Sequence, residues 1–426
     1  MVEQFRIAEP IVSQAEMCRH SHAQTRRVVR SEMRIRTQDE ATLWLHSLVR
    51  ADAPRGKAAH ESSTQLFRQL GNPQDALPAV HIVGTAGKGS VSAALTVGLL
   101  AAGESVAAHL SPHVYDLRER FTIDASLPDW TQVVEAVDAV AVAAARMTTA
   151  PTFFAATTAT AVELGRQCGA DRLVIEAGIG GRVDATNVLG REDVLTIITA
   201  IGLDHTDVLG KTEQQIANEK AAVLAGRRQA VLGPQPSEAV AKMIRNVARV
   251  EDVELVEVDA SGDFQRDAVA TASAALALLG YPPVAAPATQ AGRLERVEIG
   301  GRRLIFDGAH NPMKLRALAA VLDERAALVI AAVGAGKDLE ACAAGLGSLG
   351  ETVAATTFGP GPAEPGPRGW PIAALAAALR ATNGPRVVES SISELNAVVE
   401  NESEPGDLVI VTGSFLHLAD VRRQLS

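Results

Sequence analysis

The stretch formed by residues 79–95, AVHIVGTAGKGSVSAAL, decides the fold of this chain. It opens with an apolar run typical of a buried strand, continues through a glycine-rich segment and closes with a run typical of a helix. A strand, a glycine-rich turn and a helix in this order form the first unit of an α/β fold. The common Walker pattern does not fit, because Gly89 stands between Lys88 and Ser90.

The glycine-rich segment nevertheless favours phosphate binding. Glycines allow successive backbone N–H groups to face inward at the N-terminus of a helix, where they bind an anion. Lys88 would add a positive charge at the terminal phosphates, and the hydroxyl of Ser90 would be a ligand for Mg²⁺. A plain strand–turn–helix connection is the alternative for this segment taken alone.

The composition is that of a globular protein with aliphatic cores. Of the 426 residues, 47% are hydrophobic and 3% are aromatic, which suits two or three packed domains. The formal net charge of −10 argues against general binding to nucleic acid, which depends on Lys and Arg. We find neither an apolar run of about 18 residues, as a membrane span needs, nor a hydrophobic signal core.

The cysteines point to a reducing compartment. Cys18, Cys168 and Cys342 lie far apart and include no CxxC spacing. A disulfide scaffold and a zinc ribbon are therefore not expected. We expect a cytoplasmic protein.

Apolar strands alternate with helical patterns along most of the chain, which predicts parallel sheets covered by helices on both faces. The Pro- and Ala-rich segment GYPPVAAPATQAG, residues 280–292, interrupts this pattern, which restarts beyond it with RLIFDG and ALVIAAVG. We expect a first α/β unit over residues 37–286 and a smaller second unit over residues 287–426. Ligands would lie at the carboxyl ends of the strands and in the cleft between the units.

Residues 1–36 stand apart from both units, and six arginines lie between residues 19 and 36. We expect a flexible leader here. A basic interaction arm and a start codon assigned upstream of Met33 are the alternatives. Order should begin at Thr37, whose spacing to Glu40 is that of a capping box.

Further segments carry polar side chains near the ends of strands. Glu176 closes an apolar strand before a glycine-rich loop, and His205 lies in the loop after the next strand. Either residue is a candidate metal ligand, with a plain glycine-rich turn and a solvated loop as the alternatives. Lys220 lies on a helix, where a lysine is usually exposed to solvent. The second unit repeats the arrangement with Asp307 and His310.

The order and spacing of these segments resemble the folylpolyglutamate synthase/dihydrofolate synthase family, a branch of the Mur ligases. The family's Gly-Thr-Asn-Gly-Lys-Gly-Ser/Thr loop matches residues 84–90 except at one position. Its Ser-Pro-His…Arg-Glu-Arg segment matches residues 111–120, and its Glu-x-Gly-x-Gly-Gly-x-x-Asp-Ala-Thr-Asn segment matches residues 176–187. IGLDHTDVLGKTEQQIANEKA, GRLE, DGAHNP and VTGS are similar as well, so the resemblance extends from about Thr37 to the end of the sequence.

The resemblance implies a Mur-ligase-like fold, in which a P-loop parallel-sheet ATPase domain precedes a smaller Rossmann-like α/β domain. It implies ATP and two Mg²⁺ ions as cofactors, and L-glutamate and a pterin- or folate-type carboxylate as substrates. The carboxylate would become an acyl phosphate, which the amino group of glutamate attacks to form an amide. The resemblance also implies a monomer. The charge and the lack of a long apolar run give the further expectation that the protein binds neither nucleic acid nor membrane.

The resemblance further implies roles for individual residues. Those expected at the ATP phosphates are Gly84, Thr85, Gly87, Lys88, Gly89, Ser90 and Arg293, and Asp307 is expected at the ribose. The expected Mg²⁺ ligands are Ser90, Glu176, His205 and Lys220, the last matching the family's carbamylated lysine. The expected substrate contacts are Ser111, Pro112, His113, Arg120, His310 and Ser414. The residues expected to carry catalysis are Lys88, Lys220, His205 and Glu176.

Four departures separate this chain from the family pattern. Ala86 replaces an asparagine of the phosphate loop, and Ala155 stands where the family usually carries glutamate. Ala268 occupies the position of the asparagine expected to read adenine. Residues 55–63, RGKAAHESS, replace the usual Gly-Leu-Glu-Arg run of the folate-side loop.

Three hypotheses follow from the match and its departures. The first is an ATP-dependent ligase that adds glutamate to folate or dihydropteroate. The second is a ligase of the same family that joins a different carboxylic acid and amino acid in specialised metabolism. The third is a non-catalytic nucleotide-binding relative.

Overall fold

The computed structural model describes residues 34–50, 52–359, 369–382 and 384–426. The expected leader therefore lies outside the described residues, apart from its last three positions. None of the helices within these ranges is long and apolar enough to cross a membrane.

The first unit is built around a seven-stranded sheet. Its strands are β1 (Ala79–Val83), β2 (Val106–His109), β3 (Phe121–Ile123), β4 (Arg172–Glu176), β5 (Leu195–Ile198), β6 (Gln229–Leu232) and β7 (Glu254–Glu257). Their order is β3-β2-β4-β1-β5-β6-β7. The helices of this unit are α1 (Gln38–Ser47), α2 (Gly56–Gln69), α3 (Lys88–Ala101), α4 (Trp130–Ala144), α5 (Phe153–Cys168), α6 (Glu213–Ala221), α7 (Glu238–Val250) and α8 (Phe264–Leu278).

The second unit contains a six-stranded sheet. Its strands are β8 (Glu295–Ile299), β9 (Arg302–Phe306), β10 (Ala326–Ala331), β11 (Gly350–Ala355), β12 (Arg386–Glu389) and β13 (Leu408–Thr412), in the order β12-β11-β10-β13-β9-β8. Its helices are α9 (Pro312–Ala320), α10 (Leu339–Gly347), α11 (Ile372–Ala381), α12 (Leu395–Glu402) and α13 (Phe415–Leu425). The expected boundary after residue 286 falls in the connection between α8 and β8, and it stays a prediction.

The parallel sheets expected from the sequence are present, but each has one antiparallel edge. β3 pairs antiparallel with β2, and β8 pairs antiparallel with β9. Neither pair is joined by a packed crossover helix, which neighbouring parallel strands usually require. The segment after β2 contains only a short 3₁₀ turn, Leu117–Arg120, before the chain returns as β3.

Alternation along the central strands explains how both faces of the first sheet become buried. In β4, Leu173 and Ile175 pack into a core shared with α4 and α5. Val174 points to the opposite core, where Leu95 of α3 and Leu276 of α8 also pack. Such two-sided burial is what near-continuous apolar strands require.

The strand order brings the polar loops together. β1 lies between β4 and β5, with Ile82 level with Glu176 and Val83 level with Ile198. The loops after these three strands therefore begin at one edge of the sheet, as expected for ligand-binding loops of parallel sheets. The loop after β5 leads to α6, which begins with the capping box of Thr212 and Gln215.

Candidate active site

The loop after β1 has the conformation that its glycines permit. Gly84 has a φ of 154°, and a Cβ atom there would lie 1.9 Å from Oγ1 of Thr199. Gly87 has a φ of 86° and is the N-cap of α3. The first turn of α3 carries Lys88, whose Nζ donates to the carbonyl of Gly84 at 3.2 Å. A glycine-rich turn thus ends at a helix N-terminus, the arrangement that binds phosphate.

Arg293 of the second unit lies against this loop. A Cβ atom on Gly89 would lie 2.4 Å from Cζ of Arg293, so only glycine allows so close an approach. The guanidinium donates to the carbonyl of Ser111 at 3.4 Å and lies 5.2 Å from the ring centroid of Phe415. A second cation therefore faces the helix N-terminus from across the cleft.

Glu176 ends β4 beside the loop and is almost fully buried. One oxygen lies 3.7 Å from Nζ of Lys88, and the other accepts the N–H of Ser111 at 3.1 Å. The Ser111–Pro112 peptide bond is cis. The structure therefore brings Lys88, Glu176 and Ser111 together, although they come from three separate segments.

Lys220 is buried rather than exposed, with 4% of its surface accessible. Its Nζ donates to the carbonyls of Gly84 at 2.9 Å and Gly180 at 3.5 Å. No carboxylate of the described residues forms an ion pair with it. Burial, followed by the charge of Lys88, lowers the pKa of Lys220 to about 7. The interpretation of Lys220 as a solvent-exposed helical lysine is therefore wrong.

His205 lies on the loop after β5 with a positive φ of 49°. Burial lowers the pKa of His205 to about 4, against the opposing effect of Asp204. The ring is therefore neutral at physiological pH, as a metal-binding imidazole must be.

Asp204 directly precedes His205, and the sequence motifs assigned it no role of its own. It is buried, and its carboxylate lies 3.7 Å from Lys314 and from His310 and also pairs with Lys337. Burial alone would raise the pKa of Asp204, but the nearby His310 and the charges of Lys314 and Lys337 outweigh it and hold that pKa below its usual range. The acid therefore stays charged.

Lys314 was missed as well. Its Nζ lies 3.0 Å from Nε2 of His310. Burial, partly opposed by Asp204, lowers the pKa of Lys314 to about 7. The available signal was its position in the first turn of α9, two residues after the DGAHNP segment.

Two cavities meet at these residues. A larger cavity of about 330 Å³ has Ser90, Asp307, Ala268 and Phe264 in its wall. A smaller cavity of about 120 Å³ is lined by Lys88, Ser111, Pro112, Glu176, His205, Lys220 and His310. Gly87, Arg293, Lys314 and Phe415 line both. The shared wall therefore contains two cations and the start of α3.

Several other residues expected at the nucleotide or the substrate lie outside both cavities or already form hydrogen bonds within the protein. The Thr85 hydroxyl donates to the carbonyl of Gly202 at 3.1 Å, so it ties the loop to its neighbour. His113 accepts from Nε of Arg120 at 2.8 Å, and neither residue lines the two cavities. Ser414 precedes α13 and is also absent from both walls.

Asp307 is in the larger cavity but has partners of its own. Its carboxylate accepts the N–H groups of Leu294 and Ala309, each at 2.9 Å. Burial raises the pKa of Asp307 above its ordinary value.

The donor groups fit a nucleotide phosphate and a hard divalent cation. Lys88 and Arg293 provide positive charge, and the Ser90 hydroxyl has no side-chain partner among the described residues. Within the same residues no three His, Cys, Asp or Glu side chains cluster as a metal cage. Mg²⁺ needs no such cage, because it is commonly held by one or two protein oxygens together with water and phosphate oxygens.

The three alanines that differ from the family pattern have different surroundings. The Ala86 N–H donates to the carbonyl of Ala200 at 3.1 Å, so the loop keeps its backbone anchor. Ala155 is fully buried on α5 and offers no polar group. Ala268 is 5% exposed in the wall of the larger cavity.

Comparison with known proteins gives consistent matches. The family model for the Mur ligase, glutamate ligase domain matches residues 292–415. The chain is 30% identical to the folylpolyglutamate synthase of Lacticaseibacillus casei over 90% of this chain and 97% of that protein. It is 41% identical to a probable dihydrofolate synthetase of Schizosaccharomyces pombe over 37% of this chain, and this match spans only 38% of the relative's length.

Solved structures agree with these relatives. Escherichia coli FolC in complex with DHPP and ADP superposes with a TM-score of 0.77 at 25% identity, covering 90% of this chain and 97% of that one. A Yersinia pestis bifunctional folylpolyglutamate synthase/dihydrofolate synthase with Mn, AMPPNP and L-glutamate bound gives a TM-score of 0.74 at 27% identity, covering 90% and 98%.

Proposed function

Because this chain belongs to the folylpolyglutamate synthase/dihydrofolate synthase family and has its Mur-ligase-like fold, we propose that it is an ATP-dependent ligase that adds L-glutamate to a pterin- or folate-type carboxylate. The observation that carries the proposal is the junction of the two cavities. There Gly87 at the N-terminus of α3 and Arg293 line both cavities, and Lys88 lines the smaller one. Such a junction suits the γ-phosphate of ATP, with the nucleoside in the larger cavity and the reacting acid in the smaller.

Activation of the acid is the first step. A carboxylate is a poor acyl donor, so one of its oxygens attacks the γ-phosphate and an acyl phosphate forms with release of ADP. The backbone N–H groups of residues 84–90 would bind the phosphate chain, and Lys88 and Arg293 would offset the charge that gathers on the transferred group. Positioning and electrostatics supply the catalysis, so no side-chain nucleophile is required.

The second step is formation of the amide. The amino group of glutamate attacks the acyl carbon, a tetrahedral intermediate forms, and its collapse expels phosphate. Water would hydrolyse the acyl phosphate, so the two units must close around it. His310 in the smaller cavity is a candidate to contact the incoming amino acid. All these residues come from one chain, so the proposed chemistry needs no second copy.

The metal ligands would be Ser90 and Glu176 for one Mg²⁺ ion, and His205 with a modified Lys220 for a second. When bound, Mg²⁺ neutralises charge on the phosphate oxygens and polarises the phosphoryl group. Glu176 is held for this role by the N–H of Ser111, which fixes its orientation.

We also propose that Lys220 is carbamylated by CO₂. The support is its burial without a carboxylate partner, which leaves an amine that costs energy to keep charged. Conversion to a carbamate would turn this nitrogen into a carrier of metal-binding oxygens. Lys220→Ala should be nearly inactive and regain part of its turnover in acetate, whose carboxylate replaces the carbamate. Full activity without acetate would remove this proposal.

Mass spectrometry of the product tests the main proposal. The protein is incubated with ATP, Mg²⁺, glutamate and, separately, dihydropteroate or tetrahydrofolate. We expect phosphate release that depends on the acceptor and a product heavier by one glutamate residue. Absence of turnover with any carboxylic acid, despite ATP binding, would reject a ligase.

A ligase for a different carboxylic acid is a second candidate. Ala155 favours it, because this fully buried position carries no polar group where the family usually carries glutamate. Phosphate release seen only with acids other than pterins would select this candidate.

A further inference from the structure

A single carboxylate of the first unit is enclosed by groups of the second. Asp204 accepts a hydrogen bond at 3.1 Å from Nδ2 of Asn311, a residue that also caps α9 through its Oδ1. Lys314 lies 3.7 Å from the same oxygen of Asp204, and Lys337 pairs with the other oxygen. Asn311 and Lys337 come from the loops after β9 and β10, and Lys314 comes from the first turn of α9. All three are more than 100 residues away from Asp204 along the chain.

The chemistry of this cluster favours a lasting contact. Asp204 is 8% exposed, and a buried carboxylate is tolerated only when charges and hydrogen bonds compensate for lost water. Removing one partner of such a buried cluster leaves the other charges uncompensated, which is strongly unfavourable. The cluster therefore resists separation of the two units.

Among the residues that the structure describes, the other polar contacts between the units lie near the chain connection. The hydroxyl of Tyr115 donates to Glu295 at 2.9 Å, and Arg293 donates to Ser111. Glu295 and Arg293 lie where the chain enters the second unit, so these two contacts do not hold the loops after β9 and β10. Asp204 provides the polar attachment for those loops.

We propose that Asp204 is a positioning residue that docks the second unit on the first and so holds Lys314 and Arg293 at the junction of the cavities. Its catalytic meaning rests on the proposed ligase function. An undocked second unit would leave the acyl phosphate open to water. The expected defect is therefore loss of coupling between ATP use and amide formation.

The experiment compares the wild type with Asp204→Asn and with Asp207→Asn, an exposed acid of the same loop. Small-angle scattering is measured without ligands. Phosphate release and amide formation are then measured in parallel with ATP, glutamate and the acceptor. For Asp204→Asn we expect a larger radius of gyration, about tenfold lower kcat and an increased ratio of phosphate to amide. Asp207→Asn should match the wild type.

The ratio of phosphate to amide distinguishes a docking defect from misfolding, because a misfolded, inactive fraction of the protein lowers the yields of phosphate and amide equally. Unchanged scattering and an unchanged ratio in Asp204→Asn would overturn the proposal. If the wild type forms no amide with any acceptor, the ligase function fails, yet the scattering comparison still tests docking. If Asp204→Asn does not fold, Lys337→Met is tested instead. This variant removes one partner of Asp204 and should show the same changes in scattering and in the ratio of phosphate to amide. Wild-type behaviour would again overturn the proposal.

Discussion

Replacing Lys220 by methionine should stabilise the fold at neutral pH while abolishing activity. Burial, followed by the charge of Lys88, lowers the pKa of Lys220 to about 7. An unfolded lysine has a pKa of about 10.4, so at pH 7 the folded state carries a cost on the order of 4 kcal/mol for holding the ammonium. Methionine removes this cost, but the carbonyls of Gly84 and Gly180 lose a donor, which costs about 1–3 kcal/mol. The expected net gain is therefore about 1–3 kcal/mol in the free energy of unfolding.

The pH dependence of this gain has a definite sign. When the pKa of a lysine is lower in the folded state, its full cost is present below the folded value, decreases as the pH rises, and disappears above the unfolded value. Between pH 7 and about pH 9.5 the cost of Lys220 should decrease by about 3 kcal/mol. The advantage of Lys220→Met should therefore shrink and then reverse, because the neutral amine still donates its hydrogen bonds.

Urea denaturation at several pH values, in buffer free of CO₂ so that no carbamate forms, measures this difference. Lys242→Met on α7 is the matched control, since Lys242 is exposed and its replacement should change stability by less than about 0.5 kcal/mol. A Lys220→Met protein that is less stable than the wild type at pH 7, or a difference that does not vary with pH, would refute the reasoning.

Three further substitutions test the nucleotide site. Lys88→Ala should abolish ATP hydrolysis with an unchanged circular-dichroism spectrum, and retained turnover would exclude its phosphate role. Gly89→Ala should raise the KM for ATP about tenfold by displacing Arg293 from a charge-assisted contact; an unchanged KM would show that Arg293 does not meet the phosphates. Ala268→Asn should lower the KM for ATP up to about tenfold by restoring a hydrogen bond to adenine. If the folded variant has the wild-type KM, the base does not lie against this position.

The parts of the site that the sequence predicted are those defined by local backbone chemistry. The glycine loop at residues 84–90 precedes a helix, and Glu176 ends a buried strand, so strand order alone brings them to one edge of the sheet. The capping box of α1 follows from two side chains three residues apart. Each of these features depends on short-range pattern and on the rules of parallel sheets.

The parts that the sequence did not predict depend on contacts between segments that are distant along the chain. Asp204 meets Asn311 and Lys337 across separations of 107 and 133 residues, and no local pattern encodes that approach. The burial of Lys220 likewise results from the loops at Gly84 and Gly180 closing over α6. The antiparallel edge strand β3 was missed because an alternation of strands and helices was expected along most of the chain.

Transfer of oxygen from the acceptor to phosphate tests the central claim most directly. The acceptor is prepared with ¹⁸O in its carboxylate and incubated with the protein, ATP, Mg²⁺ and glutamate, and the released phosphate is analysed by mass spectrometry. We expect one ¹⁸O atom in each phosphate. The carboxylate oxygen that attacks the γ-phosphate becomes part of the phosphate group, and this group leaves when the amine attacks the acyl carbon. Amide formation accompanied by unlabelled phosphate would contradict an acyl phosphate and the mechanism built on it.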